Sequence, residues 1–63
     1  MLAVLTSIGF VQVSQKGSHV KVRHQDGRVA IIPLHRELAT GTLRSILRQA
    51  GISMDDFRKL IDQ

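Results

Sequence analysis

A chain of 63 residues has room for one domain with a single thin layer of core and none for a separate cofactor-binding domain, so any functional site must lie on the surface. There is no cysteine to form a disulfide staple, and nine Lys and Arg against five Asp and Glu give a net charge of +4. No apolar run approaches the ~20 residues of a membrane span, and Met1-Leu2-Ala3-Val4-Leu5 lacks the basic flank and length of a signal peptide, so the expected compartment is the cytoplasm.

Residues 1–63 are expected to form one domain. Leu2, Leu5 and Ile8 recur at helical spacing and Gly9 follows as a left-handed cap, which predicts a short helix over 2–8. Val11 and Val13 alternate with Gln12 and Ser14, as in a strand with one buried face. Gln15-Lys16-Gly17-Ser18 supplies a hairpin turn, and Val20 and Val22 then alternate with His19, Lys21 and Arg23. In that second strand the valines face inward and the histidine and cations share the outer face. Asp26-Gly27 predicts a type I′ hairpin turn, and Val29–Ile32 a third strand stopped by Pro33.

After a loop from Leu34 to Thr40, Leu43, Ile46, Leu47 and Ala50 form one stripe of a helix over 42–50, with Arg44 and Arg48 stacked elsewhere. Gly51 ends it. Ser53 with Asp56 three residues on resembles a capping box, and Met54, Phe57, Leu60 and Ile61 form the apolar stripe of a last helix. The order α-β-β-β-α plus a short C-terminal helix predicts an α+β two-layer sandwich, with a three-stranded antiparallel sheet covered by helices on one face and open on the other.

The open face is the basic one. Seven of the nine cations lie in residues 1–48, opposed only by Asp26 and Glu37. Such a surface attracts polyanions, which makes nucleic acid the default partner, against the plainer reading of ordinary surface cations. Histidine exchanges protons near neutral pH, so His19 could act as acid or base in RNA cleavage through the 2′-hydroxyl, with Lys16, Lys21 and Arg23 stabilising the charge of the transition state. His24 reads as a half-buried turn histidine. His35 either supplies a second proton-transfer group at the sheet edge or is a loop histidine without a role. The histidine spacing is not that of a zinc site, and no cofactor is called for.

Together, Gly9-Phe10, Lys16-Gly17-Ser18-His19, Arg23-His24, Asp26-Gly27-Arg28, Ile32-Pro33 with His35, and above all the run from Gly41 to Ile52 resemble the HicA, or YcfA-like, toxin family. That resemblance implies a fold related to double-stranded-RNA-binding domains, an mRNA interferase activity without metal, and His19 as the catalytic residue. RNA contacts are expected from Lys16, Lys21, Arg23, Arg28 and Arg44. The implied partners are messenger RNA and a HicB antitoxin that covers the site, in a complex of heterotetramer or larger size. Where the family often has a second histidine after the catalytic one, this chain has Val20.

Two other readings use the same residues. One is a non-catalytic RNA-binding module that lays Arg44, Arg48 and the amides of helix 42–50 against a phosphate backbone. The other is a helix-turn-helix made by 42–50 and 53–62, whose recognition helix would carry the phosphate-repelling Asp55, Asp56 and Asp62.

Overall fold

The computed structural model describes residues 1–35 and 38–62; Arg36 and Glu37, within the expected loop from Leu34 to Thr40, lie outside the described residues. The elements follow the expected order: α1 (Leu2–Ser7), β1 (Phe10–Lys16), β2 (His19–His24), β3 (Val29–Pro33), α2 (Thr40–Ala50) and α3 (Met54–Ile61). The three strands form an antiparallel sheet in the order β1-β2-β3. The fold is therefore α+β with a three-stranded antiparallel sheet. Among the described residues no helix is long and apolar enough to cross a membrane.

Core residues come from every layer. Val20 and Val22 of β2 and Ala30 and Ile32 of β3 are buried on the inner sheet face and meet Leu5 of α1 with Ile46 and Ala50 of α2. Phe10 opens β1 and is the largest of the fully buried side chains. α2 packs through Ile46, Leu47 and Ala50, as its apolar stripe predicts, and starts two residues earlier than expected, with Ala39 as N-cap. It ends at Gly51, where the Gly51 N–H donates to Arg48 O at 3.2 Å and the Ile52 N–H to Leu47 O at 2.9 Å. The Ser53 hydroxyl caps α3 by accepting from the Asp56 N–H at 3.1 Å, so one half of the expected capping box forms.

Three expectations change. The strand β1 begins at Phe10, and that single residue takes the inner face, so Val11 and Val13 turn outward at 62% and 52% exposure instead of joining the core. A one-residue offset exchanges the two faces of a strand, so alternation from Phe10 turns both valines outward, and a register shift between Gln12 and Ser14 then sets Ser14 opposite Lys21 and Lys16 opposite His19. The β2–β3 connection is not a type I′ turn. Asp26 keeps a negative φ while only Gly27 is positive, at 98°, and the Gly27 N–H donates to His24 O at 2.9 Å while the His24 N–H donates to Arg28 O at 2.8 Å. That is a three-residue loop built on a type I turn with glycine in the left-handed position, which spares Asp26 the strain of positive φ. The stripe of α3 is also less buried than expected: Met54, Phe57 and Leu60 are half-buried and Ile61 is 52% exposed.

Candidate functional site

β2 sets the site through simple alternation. Val20 and Val22 are anchored in the core, so His19, Lys21 and Arg23 project from the opposite, uncovered face, and all three are exposed. Cross-strand register adds neighbours on both sides. Lys16 pairs with His19 across the Gly17-Ser18 turn, and Val11 pairs with Arg23. On the other side His19 pairs with Pro33, Lys21 with Ile31 and Arg23 with Val29. Directly paired residues hold their Cβ atoms about 4.5–5.5 Å apart, which makes Lys16 the nearest cation to the imidazole from another strand. The face is a basic central column between two columns that carry the exposed apolar groups Val11, Val13 and Ile31. The apolar flank from β1 escaped the alternation argument because Phe10 displaces the valines.

His19 also borders an open cleft of about 540 Å³ at the β3 edge. Ile31 and Pro33 line it from β3, Thr42 and Gln49 from α2, and His35, Leu38 and Ala39 from the connecting segment. Gln49 closes the sheet edge there, its Oε1 accepting from the Ile31 N–H at 3.0 Å, while its Nε2 donates to Ser45 Oγ at 3.3 Å. That gives the otherwise unpaired edge donor a partner and fixes α2 beside the cleft. Nothing in the sequence pattern singled out Gln49 for this task. His35 thus lies at the same cleft as His19.

The remaining expected site residues lie elsewhere. Arg28, expected among the RNA-contacting cations, is half-buried and engaged: its Nε donates to Asp26 Oδ2 at 2.8 Å and its Nη1 to Ala50 O at 2.6 Å, with the guanidinium 5.3 Å from the Phe10 ring centroid. It ties the β2–β3 turn to the C-terminus of α2, where carbonyls lack intrahelical partners. The Arg28 backbone N–H, followed by its guanidinium, holds the Asp26 carboxyl below the usual carboxylate range. The link is present above the ordinary carboxylate pKa and fades as pH falls through the lowered one. Arg44 is exposed on α2 and lines, with Arg48, Leu47, Ile52 and Met54, a groove toward α3 that does not include His19. The helix pair also presents Asp55 and Asp56 in the first turn of α3, an acidic start for a DNA-reading helix.

His24 is half-buried, as its place beside the turn suggests. Its Nδ1 lies 3.1 Å from both the Asp26 backbone N and Asp26 Oδ1, and its Nε2 lies 3.1 Å from Ile8 O, so both ring nitrogens are held. Its ring meets Phe10 edge-on at 5.2 Å. A Cβ at Gly9, where φ is +104°, would stand 2.9 Å from His24 Nε2, so the α1–β1 junction admits only glycine without rearrangement. This histidine belongs to the framework. Among the described residues no cluster of three His, Asp or Glu side chains is grouped to hold a metal ion.

No curated protein matches the chain. The family model of the HicA toxin of bacterial toxin-antitoxin modules matches residues 1–52, which span α1, the whole sheet, the cleft and α2 and stop before α3, and the chain belongs to that family.

Proposed function

We propose that this toxin is an endoribonuclease that cleaves messenger RNA without a metal, using His19 as its catalytic histidine. The observation that carries the reading is the exposed position of His19 at the mouth of the cleft, paired with Lys16 and continued along β2 by Lys21 and Arg23. The reaction needs a proton taken from a 2′-hydroxyl, a proton given to the departing 5′-oxygen, and stabilisation of the extra negative charge on phosphorus. An imidazole serves either proton transfer. Three cations on the same open face attract the phosphate chain and oppose the charge that develops. Arg44 would be reached only by RNA long enough to extend to the helical side, and Arg28 would have to leave Asp26 and Ala50.

The electrostatic part has its own test. In a His19→Ala background that prevents turnover, changing both Lys21 and Arg23 to Ala should weaken RNA binding and lower the slope of log affinity against log salt by about one unit per lost contact. Both side chains are exposed, so the melting temperature should hardly move. An unchanged slope would place RNA on a different surface.

A toxin of this family implies an antitoxin. We infer that a HicB-type antitoxin silences the enzyme by covering the open face. Val11, Val13 and Ile31 offer apolar area, and Lys16, Lys21 and Arg23 offer charge to acidic groups that take the place of phosphates. Antitoxin and a non-cleavable RNA analogue should therefore exclude each other on the His19→Ala protein. A ternary complex with undiminished RNA affinity would eliminate occlusion.

A further inference from the structure

We propose that His35 is the second proton-transfer group of the cleft, so that two histidines divide the acid and base steps; the inference rests on the nuclease reading above and adds a catalytic residue to it. Chain geometry brings the two together. His19 opens β2 directly opposite Pro33, the last residue of β3. The Leu34 N–H then donates to Ser18 O at 2.6 Å, which holds the exit from β3 against the β1–β2 turn. His35 follows two residues after Pro33 and is exposed at the cleft that Pro33 and His19 also line. Both residues line the cleft of about 540 Å³, within the size range that accommodates a small ligand such as a nucleotide.

Among the described residues, the rest of the lining offers no competitor. α2 contributes Thr42 and Gln49, β3 contributes Ile31 and Pro33, and the connecting segment contributes Leu38 and Ala39. Among the described residues no carboxylate lines the cleft, and the charged groups facing His19 are Lys16 across the hairpin and Lys21 farther along β2. Two imidazoles are therefore the groups of that lining able to exchange protons near neutral pH. In the step they would share, one imidazole takes the 2′-hydroxyl proton as the O2′–P bond forms, and the other, as imidazolium, gives its proton to O5′ as the P–O5′ bond breaks. A 2′,3′-cyclic phosphate and a 5′-hydroxyl result. No oxidant, reductant or net proton is consumed, and proton exchange with water resets the pair.

The test compares wild type, His35→Ala and His35→Gln on RNA and on uridine 3′-(4-nitrophenyl phosphate), whose leaving group departs without protonation. Folding of each is checked by NMR. Both variants should lose roughly 100-fold or more on RNA, and the bell-shaped pH profile should lose one limb. Near-normal turnover of the nitrophenyl ester by the variants would make His35 the acid, and equal loss on both substrates would make it the base; either supports the proposal. Activity within about threefold of wild type with both limbs intact, or full rescue by Gln, would overturn it, since Gln keeps a polar amide but cannot act as an acid or base near neutral pH. A folded wild-type protein that cleaves neither substrate would instead defeat the nuclease reading itself.

Discussion

Replacing His19 with Ala is expected to reduce RNA cleavage by about 10²–10⁴-fold, the contribution typical of one positioned acid or base. The fold should persist, because the side chain is exposed and the strand is held by Val20 and Val22 on the other face. Substitutions at such sites usually change stability by no more than about 0.5 kcal/mol. Loss of activity with an unchanged melting temperature would therefore report chemistry and not unfolding. Wild-type cleavage should survive excess chelator. Activity that vanished with the chelator, or that survived intact in a folded His19→Ala protein, would rule out the mechanism. The double variant with His35→Ala separates two further cases: catalytic groups acting as a unit are strongly non-additive, so losing both should cost little more than losing the more important one.

The parts of this fold that were legible in the sequence are those ruled by local physics. The alternation of Val20 and Val22 with His19, Lys21 and Arg23 has one solution in a half-covered sheet, and it gives the orientation of β2 correctly. Ser53 as a cap and Gly51 as a helix end are likewise decided within a few residues. What was not legible depends on contacts distant in sequence. Val11 and Val13 form an alternating pattern that fits either face, and only the burial of Phe10 under the helices settles which one. Arg28 looked like a free cation because its acceptor at Ala50 lies 22 residues away. The Gln49 bond to Ile31, 18 residues distant, was hidden for the same reason, whereas the nearness of His35 to the sheet edge followed from its place two residues after Pro33.

Phe10→Ala is the substitution expected to cost most in stability. The ring is 1% exposed and is packed among the buried residues from both layers. It also carries the edge-on contact with His24 and lies beneath the Arg28 guanidinium that reaches Ala50. Truncating a buried Phe to Ala typically costs about 3–5 kcal/mol, because the cavity adds to the lost burial. A core of this size rarely supplies more than about 3–5 kcal/mol in total, and no disulfide reinforces it. The variant should therefore be largely unfolded at 25 °C, measured as loss of the cooperative urea transition followed by circular dichroism. Phe10→Leu keeps most of the apolar volume and should remain folded with a lowered midpoint. Because a partner that binds only the folded state stabilises it by mass action, excess antitoxin should restore structure to Phe10→Ala, the stabilisation growing with the logarithm of its concentration over the dissociation constant. Retention of a wild-type midpoint by Phe10→Ala would show that the sheet and α2 hold together without the ring, and would shift the centre of the core to the contact between Ile32, Ile46 and Ala50.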